Sequence, residues 1–329
     1  MTQPSDIQVR TFKTSACGEF KAFIQGDLDN KQGKTIFVTC HDMGTNQRSW
    51  YPFVMHQSMT EVRLRSIFIH ICVPGQDDNA PTIPLDQPFP SLEDLGMDLV
   101  VVLDELGAKS VIGIGDGAGA NVICRFAMNH PNRCMGIILC HPTSTTAGVW
   151  EYVNNKIMTR KMSSTSQMSQ SVYDYLIEHK FGANRDSDAV QQYLDDLQSR
   201  INPQNLARYF SSFLKRTDLS SILASQLKVD AMLVAGGKAS HLHTVKTMMA
   251  SMNKTTTTLL EVENAGDVIS EAPHRLARGL ILFCKGQGVL SGVGIPGMEK
   301  QRTLSGSMEE ADQPVQRRPS VVGIGDGAT

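Results

Sequence analysis

The sequence lacks the features that would place it among nucleic-acid-binding, membrane-spanning or secreted proteins. Its 31 basic and 33 acidic residues nearly cancel, so no overall field attracts nucleic acid or an anionic membrane. The longest apolar run is far too short to cross a bilayer. Residues 1–6 contain neither a basic region nor an apolar stretch, so no secretory leader is expected. We therefore expect no nucleic-acid partner and no transmembrane segment.

The cysteines follow no pattern that would indicate a disulfide framework. The chain has seven of them, an odd number, and none belongs to a C-x-x-C pair. Most lie within apolar strand or helix patterns, which favours reduced thiols in a core. A metal site needs three or more convergent ligands, and Asp267 and His241 offer neither the number nor the spacing. We expect neither a metal nor a cofactor.

What the sequence does contain is a regular alternation of short β-branched runs with helical patterns. This alternation is typical of a mostly parallel sheet with helices on both faces. A helix is predicted after Ser91, a typical N-cap residue, and a last helix over 273–286. The predicted strands are 7–14, 19–25, 35–40, 66–72, 110–115, 135–140, 229–237 and 256–262.

The segment Val111–Asn121 is built like the strand, turn and helix that carry the nucleophile of α/β-hydrolases. In those enzymes the turn reads G-x-nucleophile-x-G. Here Gly115 and Gly119 are the flanks, and Gly117 stands at the centre. Glycine relieves the strained backbone of the turn, but it has no side chain that can attack a carbonyl. The segment predicts an α/β-hydrolase fold without its nucleophile.

Two other interpretations of this turn fit the residues less well. Gly113–Ala118 matches the first half of a dinucleotide fingerprint, but the next predicted strand ends without the carboxylate that would bind a ribose. An Asp nucleophile at Asp116 would place Ile114 and Ala118 where glycine is needed. An unorthodox hydrolase that uses Asp116 or Asp267 is kept as an alternative.

The acid and base positions of a hydrolase triad also carry unsuitable residues. The acid should follow the strand 229–237, and its position falls on Ala239 or Ser240. The base should be a histidine in the loop after the last strand, where this chain has Asp267. His241 and His243, two residues apart in a loop, are expected to be solvated.

Polar residues around the turn form a candidate binding pocket. His41, Asp42 and Met43 occupy the loop in which a hydrolase places its oxyanion donors. The alternative is that the backbone of this loop only caps the sheet. The predicted pocket consists of His41, Asp42, Met43, Asp116, Gly117 and Asp267.

Changes in composition divide the chain into predicted regions. The strand pattern stops near residue 148 and resumes after 223, which predicts a helical cap insertion. The last residues lack aromatics and are rich in Gly, Ser, Pro and Gln, so a disordered regulatory tail is expected. Ser305 and Ser320 follow arginines at a spacing that basophilic kinases accept. The predicted boundaries are 1–147 and 224–290 for the core, 148–223 for the cap and 291–329 for the tail.

Four segments resemble the N-myc downstream-regulated family, a non-catalytic branch of the α/β-hydrolase superfamily. They are His41–Asn46, Val73–Asp77, the glycine turn with Arg125–Pro131, and Tyr209–Leu219. The resemblance implies a cytoplasmic adaptor of signalling, stress response and growth control, which acts through protein partners and carries tail phosphorylation. A module that binds a small apolar or lipid-like ligand under the cap is the alternative.

Overall fold

The structure, a computed structural model, describes residues 7–146, 168–185 and 188–296. Its strands are β1 (Ile7–Thr14), β2 (Gly18–Gln25), β3 (Thr35–Cys40), β4 (Ser66–Cys72), β5 (Val111–Asp116), β6 (Cys134–Cys140), β7 (Asp230–Gly236) and β8 (Thr257–Val262). These strands form an eight-stranded sheet in the order β1-β2-β4-β3-β5-β6-β7-β8. β2 pairs antiparallel with β1 and β4, and the remaining neighbours are parallel.

The described helices connect these strands. They are α1 (Tyr51–Met55), α2 (Thr60–Leu64), α3 (Leu92–Glu105), α4 (Ala118–Asn129), α5 (Gln170–Phe181), α6 (Asp188–Arg200), α7 (Pro203–Leu214), α8 (Leu223–Gln226), α9 (Leu242–Ala250), α10 (Val268–Glu271) and α11 (Pro273–Gly286). None of the described helices combines the length and apolar character needed to cross a bilayer.

The hydrophobic core is built around central strands that are apolar on both faces of the sheet. β3, β4 and β5 are buried along their whole length, as expected for central strands covered by helices on both sides. α3 begins at Ser91, as predicted. Its hydroxyl accepts the Asp94 N–H at 3.1 Å, and the Asp94 carboxylate accepts the Ser91 N–H at 2.9 Å.

The predicted strands are confirmed, with ends that differ by at most one residue. One difference matters for the site, because β5 continues through Asp116 and α4 begins at Ala118. A single residue, Gly117, therefore makes the turn between strand and helix. This extension places the Asp116 side chain at the carboxyl end of the sheet.

The helices α5, α6, α7 and α8 lie between β6 and β7, and we refer to them as the inserted helices. They begin within the predicted cap, 148–223, and α8 extends beyond it to Gln226. Residues 148–167, 186 and 187 of the predicted cap are outside the described part of the chain. α5 lies across the carboxyl ends of the sheet, since its last turn contacts Asp42, Asp116 and Asp267.

The unit that contains the sheet extends to Val293, and a second unit comprises Gly294–Thr329. The predicted tail starts at residue 291, and Leu290 and Val293 near that boundary are buried. Ser305 and Ser320 lie outside the described residues. All seven cysteines are buried and free.

Candidate functional site

The turn at Gly117 has a backbone that glycine adopts without strain. Its φ of 51° and ψ of −113° lie in a region that side-chain-bearing residues rarely adopt. The flanking glycines serve close packing. A Cβ on Gly115 would clash with the Ala120 backbone, and one on Gly119 would clash with the Cys40 carbonyl. The three glycines allow the start of α4 to press against the ends of β3 and β5.

The Asp42 side chain occupies the place of a nucleophile. A Cβ on Gly117 would overlap the Asp42 carboxyl group. Asp42 Oδ1 accepts hydrogen bonds from the N–H groups of Met43 and Ala118, both at 2.8 Å. In α/β-hydrolases an N–H of this loop and the N–H that follows the nucleophile form the oxyanion hole. Both donors at the corresponding positions here are bound to a carboxylate of the chain itself.

α5 supplies the partner for the other Asp42 oxygen. His179 Nε2 lies 2.8 Å from Asp42 Oδ2, and both side chains are largely buried. Burial alone would raise the pKa of Asp42, but His179, the Ala118 N–H and Lys180 outweigh it and lower the pKa. Asp42 is therefore held as a carboxylate by groups from two sides.

Lys180, the next residue of α5, joins two further carboxylates. Its Nζ lies 3.3 Å from Asp116 Oδ2 and 3.1 Å from Asp267 Oδ2. Burial would lower the pKa of Lys180, but Asp267, Asp116 and Asp42 together raise it. His141 completes the group, with Nδ1 at 3.2 Å from Asp116 Oδ1. We call this set the ionic cluster: Asp42, Asp116, His141, His179, Lys180 and Asp267.

The charge of the ionic cluster depends on its two histidines. Three carboxylates and one ammonium leave a charge of −2 when both histidines are neutral, and none when both are protonated. Burial lowers the pKa of His141 and His179, but the neighbouring carboxylates outweigh it and raise both values. The buried carboxylates therefore favour protonated histidines beside them.

Glycines position the end of α5 against the core. Gly182 follows the helix with a φ of 59°, and a Cβ there would clash with the Lys238 carbonyl. The Ala183 N–H donates to that carbonyl at 3.1 Å. A Cβ on Gly266 would clash with the Phe181 carbonyl. These close contacts bring the last turn of α5 onto the loops after β7 and β8.

The predicted acid and base positions have structural partners. Ala239 borders the ionic cluster, and the Ser240 hydroxyl donates to the Glu178 carbonyl of α5. Asp267 caps α10, because its carboxylate accepts the Ile269 N–H at 3.3 Å and the Ser270 hydroxyl at 2.6 Å. These residues hold loops and helices together around the turn.

The structure brings together Asp42, Asp116, Gly117 and Asp267 of the predicted pocket. His41 has a different role, since its Nε2 accepts the Val73 N–H at 3.1 Å and burial lowers its pKa to about 4. Its neighbour Met43 is also buried. The loop thus contributes one side chain to the cluster, while His41 binds the Val73 backbone and Met43 is packed in the core.

Three members of the ionic cluster were not predicted from the sequence, namely His141, His179 and Lys180. His241, which was expected to be solvated, is half-buried, and its ring lies 5.4 Å from that of His179. Burial lowers the pKa of His241 to about 4. Within the described residues, no group of His, Cys, Asp and Glu side chains is arranged to hold a metal ion.

Two cavities of very different size lie near the turn. The smaller cavity, lined by the ionic cluster without Asp267 and by Ala239 and His241, has a volume of about 20 Å3, which is room for about one water molecule. A larger cleft of about 480 Å3 lies beside it, lined by residues from segment 44–56, from the length of α6 and from Asp267 to Pro273. Of the predicted pocket residues, Asp267 lines this cleft.

Comparison with known proteins assigns the family. A family model described as the Ndr family matches residues 10–291. The chain belongs to the Ndr family. The uncharacterized protein ZK1073.1 of Caenorhabditis elegans is 54% identical over 317 residues, covering 96% of this chain and 95% of that protein. Protein NDRG2 of Mus musculus is 27% identical over 282 residues, covering 84% of this chain and 74% of that protein.

Solved structures confirm the predicted fold of this Ndr family member. A thermophilic esterase from Thermogutta terrifontis superposes with a TM-score of 0.71 at 15% identity, covering 85% of this chain and 99% of the esterase. An alpha/beta hydrolase enzyme from a deep-sea metagenome library gives 0.68 at 13% identity, covering 83% and 96%. Identities this low establish the α/β-hydrolase fold alone.

We predict that Gly117→Ala destabilises the protein by about 2 to 5 kcal/mol. The alanine would have to adopt a positive φ, and its Cβ would overlap the Asp42 carboxyl group. Gly33→Ala is the matched control, because Gly33 has a φ of +75° but no atom within 4 Å of the added Cβ. Its expected cost is about 1 to 2 kcal/mol. Urea denaturation measures both, and equal losses would contradict the placement of Asp42.

We predict that His179 makes stability depend on pH above its ordinary pKa of 6.5. Because the folded-state pKa is raised, this stabilisation is complete below pH 6.5 and is lost as the pH rises through the folded-state pKa. The melting temperature should fall as the pH rises above 6.5, and His179→Gln should reduce that slope. Burial lowers the pKa of His41 and His70, so these two histidines change the stability only at lower pH.

The control for this measurement is His274→Gln, which replaces an exposed histidine of α11. It should retain the slope of the unmodified protein. His179→Gln should keep part of the slope, since His141 also has a raised pKa. Identical slopes for His179→Gln and the unmodified protein would refute a proton-dependent contact between α5 and Asp42.

Proposed function

We propose that this protein is a non-enzymatic adaptor on an α/β-hydrolase scaffold. The observation that carries the proposal is the Asp42 carboxylate, which binds the N–H groups of Met43 and Ala118 at 2.8 Å. A substrate oxyanion would compete with a resident anion for the same two donors. Gly117 offers no group for attack, and Asp42 fills the space where such a group would lie.

The alternative of a hydrolase that uses Asp116 or Asp267 is weaker. Both carboxylates lie within 3.3 Å of Lys180 Nζ. For Asp116, burial raises the pKa, but Lys180 and His141 outweigh it and lower the pKa. A carboxylate stabilised in this way is a poorer nucleophile and a poorer base. The cavity in contact with Asp116 has room for about one water molecule.

The adaptor role extends what family resemblance implies. The proposed setting is the cytoplasm, where the protein would act in signalling and stress response by binding other proteins. Phosphorylation of Ser305 or Ser320 would add about two negative charges beside neighbouring arginines and so alter partner binding. The described α/β-hydrolase core would present a stable surface to such partners.

A second candidate function is the binding of a small apolar or lipid-like ligand. The cleft of about 480 Å3 favours it, because ligand sites commonly have volumes of about 300 to 1,000 Å3. This cleft lies beside the occupied turn. Ligand binding there would not require any group of the ionic cluster to be displaced.

We predict that the purified protein does not hydrolyse activated esters such as p-nitrophenyl acetate or butyrate. The rate should equal that of a reference protein with a similar lysine content, because surface amines react slowly with such esters. Substrate dependence of the initial rate is the measurement. Saturable turnover that disappears in Asp116→Asn or Asp267→Asn would overturn the non-enzymatic proposal.

We predict that the immobilised protein captures proteins that an α/β-hydrolase esterase bait of equal size does not. Three forms are compared by quantitative mass spectrometry: the full chain, a chain that ends at Pro296, and the double variant Ser305→Ala, Ser320→Ala. The tail-dependent partners should decrease in the last two forms, since a phosphate cannot be added. Identical captures by the protein and by the esterase bait would contradict an adaptor role.

A further inference from the structure

The large cleft is built from two parts of the fold. One wall comes from the core segment 44–56, which includes Tyr51 and Pro52, and another from α6 of the inserted helices. Phe181, Ile269 and Pro273 also line the cleft, together with the Lys180 and Asp267 pair. A molecule in the cleft would therefore contact the core and the inserted helices at once.

The lysine and arginines of the cleft wall are already ion-paired within the protein. Arg48 and Arg200 both contact Asp78, at 3.5 and 2.9 Å. Arg200 also contacts Asp196 at 2.8 Å. Lys180 is held between Asp116 and Asp267. A ligand anion would have to compete with these carboxylates.

The carboxylates of the wall are engaged in a comparable way. Asp196 is paired with Arg200, and Asp267 is paired with Lys180 and caps α10. Asp188 lies exposed in the first turn of α6, where the helix dipole stabilises its charge. A charged ligand would thus lose its hydration inside the cleft, and the charge of Asp188, which no described cation pairs with, is exposed to solvent and screened.

Apolar side chains fill the remaining wall. The rings of Phe181 and Tyr193 pack edge to face, with centroids 5.6 Å apart. Ala189 of α6, Ile201 directly after α6 and Ile269 also line the cleft. Burial of apolar ligand surface against these groups favours binding.

We propose that this cleft binds an uncharged, largely apolar small molecule that bridges the core segment 44–56 and α6. The inference rests on the second candidate function and adds the chemical class of its ligand. Binding would stabilise the contact between the inserted helices and the core, because a ligand of the folded state shifts the unfolding equilibrium.

A matched pair of fluorescent probes tests the chemical class. N-phenylnaphthylamine is uncharged, and anilinonaphthalene sulfonate carries one sulfonate on nearly the same ring system. The full chain should bind the uncharged probe at a single saturable site. Binding of the sulfonate, and competition by a naphthyl trimethylammonium salt, should be at least about tenfold weaker. Equal or tighter binding of either charged compound would overturn the proposed class.

Substitutions on α6 test the location. Ala189→Trp and Gln192→Trp place a large ring in the cleft, and each should weaken binding of the uncharged probe at least about tenfold. Gln198→Trp adds the same ring at an exposed position of the same helix and should leave binding unchanged. The melting curve shows whether each cleft variant folds. If one variant does not fold, the other still tests the location.

The outcomes separate this inference from the proposed functions. Binding of the uncharged probe that neither cleft variant weakens would overturn the location. Absence of binding by all probes would overturn both the ligand class and the second candidate function. Partner capture by the full chain is measured independently, so the adaptor role stands or falls on that experiment.

Discussion

The buried carboxylate of Asp42 is the interaction on which the rest of the site depends. One oxygen accepts two backbone N–H groups at 2.8 Å, and the other contacts His179 at 2.8 Å. A buried anion is stable only when such partners surround it, because its loss of hydration costs several kcal/mol. The presence of Asp42 therefore requires an inserted helix to supply a positive group, and it requires a glycine at 117 to make room.

The same requirement explains why α5 ends in His179 and Lys180 at this place. Asp116 and Asp267 lie within 3.3 Å of Lys180 Nζ, so one ammonium serves two carboxylates. Removal of any one member would leave an uncompensated buried charge, which is more destabilising than the loss of an exposed ion pair. The ionic cluster thus joins the end of β5 and the loops after β3, β6 and β8 to the inserted helices.

Local patterns were sufficient to predict the strands and the glycine turn, because each depends on residues close in sequence. The β-branched runs marked the buried strands, and Gly115, Gly117 and Gly119 marked the turn. The ionic cluster had no such signal. His179 contacts a residue 137 positions earlier, and a polar helix end is the usual pattern of a solvated surface. The three glycines predicted that the nucleophile is absent, but no pattern of neighbouring residues predicted that the Asp42 side chain would occupy its place.

The space beside Gly117 is occupied by side chains, whereas the neighbouring cleft is open, and the two have separate physical causes. The turn is closed by charge, since buried carboxylates draw cationic side chains into the space that a substrate would need. The arginines and the lysine that line the cleft beside it are already paired with carboxylates, so none of them is drawn across it. Loss of an oxyanion site therefore does not entail loss of a binding cavity on this scaffold. The sheet and loops can keep their hydrolase arrangement while recognition moves to the neighbouring surface.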